Sequence, residues 1–362
     1  MHRWTALAHP GLEPVVANEL ARNGVQGRVE PGAVTFPADL QTGVDLAHRL
    51  HTLDRLLLQV TAGPASSYDQ LSQLVRRAPW SPILTRFAPV EVNVASATSR
   101  LRHREALTKK VSLAVQDVQR GLQPARGRGR PTIQRVHVRI RDDTATVSID
   151  TGGEHLHRRG WRQQQGKASL RENLASSMLE LAGWESDEAL LDPMCGSGTV
   201  LIEAALRIRA GGPFVGRALA CRSWPAMSKW KPATALPRKP LAPLMGSDRE
   251  HEAVLAAEHN ARRAGVSIDW RQLDLRDIEA PAPTGLVVTN PPYGKRLGRN
   301  VGGVYADLGR ALRGPLQGWR ALFLAPDPGL ARKVNRRAMA LTTFQNGGVR
   351  VGVYAVDAGG PG

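Results

Sequence analysis

The alternation of strands and helices in the second half of the chain constrains its fold more than any other feature. Strand-length apolar runs recur at Leu190–Pro193, Leu244–Asp248, Ile268–Leu273, Leu286–Asn290 and Ala321–Ala325, with helical periodicity between most of them. Parallel strands need long crossover connections, so this pattern predicts a parallel sheet with helices packed on it. The ending differs. Ala340–Gln345 and Arg350–Val356 flank the turn Asn346-Gly347-Gly348 and predict an antiparallel hairpin. A dinucleotide-binding fold would continue with another parallel crossover. The expected fold class is therefore α/β, a Rossmann-like sheet closed by a C-terminal antiparallel hairpin.

At 362 residues the chain has room for two or three domains. Residues 1–60 predict a small α+β unit: a strand over Trp4–Ala8, a helix starting around Gly11–Pro14, and an amphipathic segment over Val44–Val60. Residues 61–155 predict a second α+β unit with a strand at Val90–Ala95 and a hairpin of Ile133–Ile140 with Thr144–Ile149. Its helix, Arg102–Arg120, sets Leu107, Val111, Ala114, Val115 and Val118 on one face and Arg102, Arg104, Lys109 and Lys110 on the other. A glycine-spaced loop then carries Arg126, Arg128 and Arg130. Residues 156–170 read as a linker and 171–362 as the sheet domain.

The net charge of +17 suits a polyanion. The basic helix face and arginine loop are expected to track the phosphates of structured RNA without choosing a base. Cys195 and Cys221 have no metal-ligand spacing, so neither a metal site nor a disulfide framework is expected. The N-terminus lacks a signal-peptide core and no apolar run reaches membrane length, which predicts a cytoplasmic protein without membrane partners. Between Gly211 and Pro243 lies an irregular stretch with Trp224 and Trp230, too long for an ordinary turn.

The first strand runs into Asp192-Pro-Met-Cys-Gly-Ser-Gly-Thr199. Gly196 and Gly198 allow a tight turn and close approach of a ligand to Met194, Cys195 and the helix start at Thr199. No Lys-Ser/Thr follows, against a P-loop, and Asp192 would repel a pyrophosphate but suit the ammonium of S-adenosylmethionine. The next strands end at Asp248, followed by Arg249, and at Asp274, followed by Leu275. Carboxylates there can accept ribose hydroxyls and an adenine amine, because open α/β sheets bind ligands at strand carboxyl ends.

The fourth strand ends in Asn290-Pro291-Pro292-Tyr293. The lone pair of an aromatic amine is delocalised into the ring. Two acceptors, the Asn290 side-chain oxygen and the Pro291 carbonyl, can draw its nitrogen towards tetrahedral geometry. Tyr293 would stack on the extruded base, and Asn290 also borders the cofactor. These residues specify an amino group conjugated to a planar system. Adenine N6, guanine N2 and a glutamine amide all remain open.

Leu190–Ala205, Gly246–Gly265 and Val287–Gly298 resemble the THUMP-containing RNA guanine-N2 methyltransferases of RlmL type, and so does Glu154–Leu179. The resemblance implies a class I methyltransferase domain behind a ferredoxin-like N-terminal unit and a THUMP domain. It implies S-adenosylmethionine as cofactor and a guanine 2-amino group, in 23S ribosomal RNA or alternatively transfer RNA, as substrate. It also implies that Gly166–Leu170 closes over the cofactor and that the Trp224/Trp230 stretch lies near RNA. The long form of the family carries a second methyltransferase domain, which this chain is expected to lack. A non-catalytic assembly factor is the reading from another class, and the presence of every site residue weighs against it.

Overall fold

A computed structural model describes residues 1–125, 132–162, 170–209, 211–231, 242–293 and 301–358. In the first half the strands are β1 (His2–Leu7), β2 (Arg28–Glu30), β3 (Ala33–Ala38), β4 (Arg55–Pro64), β5 (Val90–Ala97), β6 (Gln134–Arg141) and β7 (Thr144–Asp150). The helices are α1 (Glu13–Arg22), α2 (Leu40–Arg49), α3 (Tyr68–Arg77) and α4 (Arg104–Arg120). The strands join in a single sheet, ordered β2-β3-β1-β4-β7-β6-β5. Ten-residue β4 makes this possible. Arg55–Leu58 pair with β1 and Leu57–Pro64 with β7, so one strand runs through the expected boundary at residue 60.

Local sequence explains much of this half. Trp4 is buried, and a Cβ on Gly43 in α2 would fall within 2.0 Å of its indole, so glycine lets the helix lie on the ring. The β6–β7 turn places Asp142 and Asp143 at φ 48° and 54°, the left-handed pair of a tight hairpin. The amphipathic segment predicted over Val44–Val60 proves to be two elements. Helix α2 ends at Arg49 and β4 begins at Arg55. Leu50 and Leu53 are buried in the connection, and so short an apolar run fits either period.

The second half contains α5 (Glu172–Leu181), β8 (Leu190–Asp192), α6 (Thr199–Ile208), β9 (Leu244–Asp248), α7 (His251–Ala264), β10 (Asp269–Gln272), β11 (Leu286–Thr289), α8 (Val301–Arg313), β12 (Arg320–Ala325), α9 (Pro328–Val334), β13 (Met339–Asn346) and β14 (Val349–Val356). Its sheet runs β10-β9-β8-β11-β12-β14-β13. The first five strands in that order are parallel, and β14 enters antiparallel between β12 and β13. Strand order reverses between β8 and β11, which opens a crevice at their carboxyl ends. No helix among the described residues is long and apolar enough to cross a membrane.

A buried polar network joins the halves. Arg159 and Glu203 are both 0 % exposed and lie 3.2 Å apart. The Arg159 guanidinium also donates to the carbonyls of Leu156 and His51, and Ser176 Oγ donates to Glu203 at 2.6 Å. Glu19 of α1 accepts the backbone N–H groups of His51 and Thr52 at 2.8 and 3.0 Å.

The 211–231 stretch packs against the first half of the chain. Trp224 is 1 % exposed within the N-terminal core and donates to Gln134 Oε1 at 2.9 Å. Trp230 donates to Asp45 at 2.8 Å, and the Arg217 guanidinium donates to the carbonyls of Gly152, Glu154, His155 and Arg158. The described part of the stretch is a strap holding the sheet domain to the first half. Its tryptophans are packing anchors.

Candidate active site at the strand carboxyl ends

Asp192 ends β8 and is buried; its carboxylate accepts the Met194 N–H at 3.2 Å. Burial, reinforced by the neighbouring Asp248, pushes this carboxyl up to about 7. No ion pair reaches it among the described residues, so a buried acid stands here without a cation.

The turn that follows is shaped by its glycines. Gly196 has φ 52° and open space where a Cβ would be. Gly198 has φ 81°, and a Cβ there would fall 2.6 Å from the Trp270 indole. The same indole lies 2.4 Å from the Cβ position of Gly246. One glycine therefore leaves room for a ligand, whereas the other two let Trp270 of β10 pack on the sheet. Cys195 donates its N–H to Ser247 O at 2.9 Å, and burial pushes its thiol well up. Its side chain is a small apolar filler. Thr199 starts α6, and its hydroxyl accepts from Arg162 at 2.7 Å, which ties the segment before α5 to the turn. Leu170 is buried; residues 166–169, expected to close over the cofactor, lie outside the described residues.

The Asp248 carboxylate accepts the N–H groups of Gly196 at 3.0 Å and Glu250 at 3.1 Å. It thereby fixes the glycine turn against β9. Burial raises its pKa above the ordinary carboxylate value. Arg249 pairs with Glu250 at 3.0 Å on the exposed surface. Asp274, beyond β10, is held by Arg276 through two guanidinium bonds of 2.9 and 3.1 Å and one backbone N–H, which bring it down to about 2. Leu275 beside it is buried.

Strand β11 delivers Asn290 to the same edge. Its side-chain oxygen is buried and has no hydrogen-bond partner among the described residues. An unpaired buried acceptor is costly and calls for an explanation. Pro291 is buried, and Pro292 and Tyr293 are half-buried. The Tyr293 hydroxyl accepts from Asn346 Nδ2 at 2.5 Å, so the β13–β14 hairpin tip fixes the ring from 53 residues away. Local sequence gives no sign of Asn346 or Trp270 as neighbours of the site.

The expected RNA-facing side chains lie apart from this edge in sequence and sheet. Arg104 and Lys109 are exposed on α4 without an ion pair among the described residues, whereas Lys110 is 3.5 Å from Asp69 and Arg102 donates to Ser99 O at 3.1 Å. Arg126, Arg128 and Arg130 lie outside the described residues. Although no metal was expected, Asp54, His155 and His157 bring possible ligand atoms within 4.8 Å of one another. Both imidazoles face Asp54 at 3.0–3.2 Å and hold its carboxyl near 2, so the cluster is already satisfied as a hydrogen-bonded clasp.

Comparison with known proteins supplies the frame for this geometry. Residues 3–57 match the RlmL ferredoxin-like domain, and residues 159–353 match the RMKL-like methyltransferase domain. The "Putative RNA methyltransferase slr0064" of Synechocystis sp. is 32% identical over 94% of this chain and 92% of its own. A "Ribosomal RNA large subunit methyltransferase K/L", from Syntrophotalea carbinolica, is 33% identical over 98% of this chain. The chain spans 53% of that relative's length, so about half. The crystal structure of "SMU.472, a putative methyltransferase complexed with SAH" superposes with a TM-score of 0.84 at 27% identity, covering 100% of this chain and 99% of that one. With a family match over residues 159–353, more than half of the chain, the chain belongs to the RMKL-like methyltransferases.

Proposed function

We propose that this chain transfers a methyl group from S-adenosylmethionine to the exocyclic N2 amine of a guanine in RNA, large-subunit ribosomal RNA above all. The observation that carries the reading is the Asn290 oxygen, a buried acceptor waiting for an N–H at the end of β11. The RNA methyltransferase names of the relatives support RNA, and the SAH in SMU.472 supports the cofactor.

The residues present fit that cofactor. Asp192 is a buried acid with no ion pair among the described residues, and Gly196 leaves the turn open beside it. Bound S-adenosylmethionine supplies an electrophilic methyl group. Asp192 would hold its ammonium; Asp248 would offer its remaining lone pairs to the ribose hydroxyls; Asp274 would turn one oxygen to the adenine amine. Asn290 Oδ1 and the Pro291 carbonyl accept the hydrogens of the target amine, localising the nitrogen lone pair for in-line attack. The amine proton leaves after transfer, so no strong base is required. Tyr293, fixed by Asn346, offers its ring to the base. In this reading residues 1–60 form the ferredoxin-like unit, 61–155 a THUMP region gripping RNA, 156–170 the linker and 171–362 the catalytic domain.

Two consequences are measurable. A carboxyl with a folded pKa of about 7 is protonated below that pH, and pairing with an ammonium favours its ionised form. Cofactor affinity should therefore rise with pH up to about 7 and then level, by at most roughly tenfold per pH unit. Calorimetry at pH 6 and 8 checks this; equal affinities would remove Asp192 from the ammonium site. If arginines grip phosphates, RNA affinity should fall log-linearly with salt, by about 0.7–0.9 decades per decade for each phosphate neutralised. A flat response would count against that surface. The functional assignment itself is tested by mapping modified nucleosides in ribosomal and transfer RNA from a strain lacking the gene. Loss of one N2-methylguanosine from 23S RNA is expected; an unchanged profile in both RNAs would contradict the reading.

A further inference from the structure

Among the described residues, Phe87 is the one aromatic that stands out as exposed, at 71%. It sits in the loop between buried Ile83 and Leu84 and the start of β5. A phenylalanine left in water forgoes the burial that ordinarily places it in a core. Mobility does not explain it, because the loop is pinned on both sides of the ring. Buried Gln119, in the last turn of α4, donates its side-chain amide to the Thr85 carbonyl at 3.0 Å and the Ala88 carbonyl at 2.9 Å. Arg86 donates its N–H to Gln123 O at 3.0 Å, and Ala88 donates to Thr85 O at 3.3 Å. A buried side chain is thus committed to holding this short loop in one conformation with Phe87 pointing outwards.

The neighbours of the ring indicate what it would meet. The Arg86 guanidinium lies over the Phe87 ring, 5.4 Å from its centroid, and makes no ion pair among the described residues, so a base would stack on the face turned away from it. No other large hydrophobic of the loop is exposed, so this is not an apolar patch of the kind that docks a protein. The last turns of α3 and α4, which lead to and brace the loop, add Arg77, and Arg76 and Arg120, which share the Asp117 carboxylate at 2.9 and 3.0 Å. A preset aromatic face beside a guanidinium, in a chain of net charge +17, fits a nucleobase and its phosphate.

We propose that Phe87 and Arg86 form a stacking platform for an unpaired base of the RNA. The base sits on the Phe87 ring, and Arg86 meets the adjoining phosphate. This rests on the reading of the protein as one that acts on RNA. It adds to that reading a site for single-stranded substrate built on the first half of the chain.

The test uses the full chain with two fluorescein-labelled probes, a short unstructured single-stranded RNA and an RNA duplex, and reads Kd by anisotropy at several salt concentrations. Phe87→Ala should weaken single-strand binding by about five- to a hundredfold, the effect of losing one stacked base, with the salt slope unchanged. Phe87→Trp should retain the affinity, and duplex binding should be the same in all three proteins. Arg86→Ala should instead reduce the single-strand salt slope by about 0.7, one phosphate contact. Phe87 is exposed, so thermal unfolding of the variants should match the parent. Wild-type affinity in Phe87→Ala, or an equal loss on both probes, overturns the platform and leaves the RNA reading standing. A parent protein that binds neither probe overturns both.

Discussion

Asn290→Ala should lower the rate of methyl transfer by about 10²-fold or more, the usual cost of removing a preorganised acceptor aimed at the reacting group. Cofactor affinity should stay nearly intact, because Asp192, the glycine turn and Asp248 are untouched. The structure adds a second signature. The Asn290 oxygen is buried without a partner among the described residues, and an unsatisfied polar atom destabilises by about 1–3 kcal/mol. Its removal should therefore leave thermal stability unchanged or slightly raised while activity collapses. That combination separates a functional acceptor from a structural one. A calorimetric titration showing lost cofactor affinity, or an unfolding temperature that falls with the rate, would contradict the role assigned to it.

Arg159→Met should be the most damaging single change to the fold. Although burial pushes the Glu203 carboxyl up, Arg159, helped by His51 and Ser176, brings it down to about 2. Removing the guanidinium strands that carboxylate in the interior and leaves the carbonyls of Leu156 and His51 without their donor. Breaking one partner of a buried pair costs about 3–5 kcal/mol, whereas replacing both by apolar groups is often neutral. Arg159→Met should thus lower the denaturant midpoint sharply, and Arg159→Met with Glu203→Leu should recover much of the loss. The folded-state pKa of Glu203 lies below its ordinary 4.5. Its contribution is therefore full above that value and is lost as pH falls towards 2. A single variant costing under about 1 kcal/mol would place the linkage between the halves elsewhere.

The fold of the second half was legible because its signals are local. Leu244–Asp248 is the same strand in sequence and structure, and the Asn-Gly-Gly turn sits where Gly347 and Gly348 adopt positive φ between β13 and β14. Asp192, Asp248 and Asn290 could be placed at strand ends because strand length and the glycine turn fix where the chain leaves the sheet. What escaped depends on residues distant in sequence. Asn346 reaches Tyr293, Trp270 covers Gly198 and Gly246, and Trp224 packs beneath β6 through Gln134. No periodicity encodes such pairs. Arg276 lies only two residues from Asp274, yet its grip depends on side-chain rotamers that spacing does not reveal. The join at β4 was hidden for a related reason: strand pairing on both edges leaves no mark in a ten-residue run.

The central claim is transfer of a methyl group to a guanine amine in RNA. It is tested most directly by incubating the purified chain with ribosomal RNA and isotopically labelled S-adenosylmethionine, then resolving the nucleosides by mass spectrometry. The label should appear as N2-methylguanosine, and Asn290→Ala should abolish it. Label in N6-methyladenosine, or in no nucleoside while the cofactor binds normally, would contradict it.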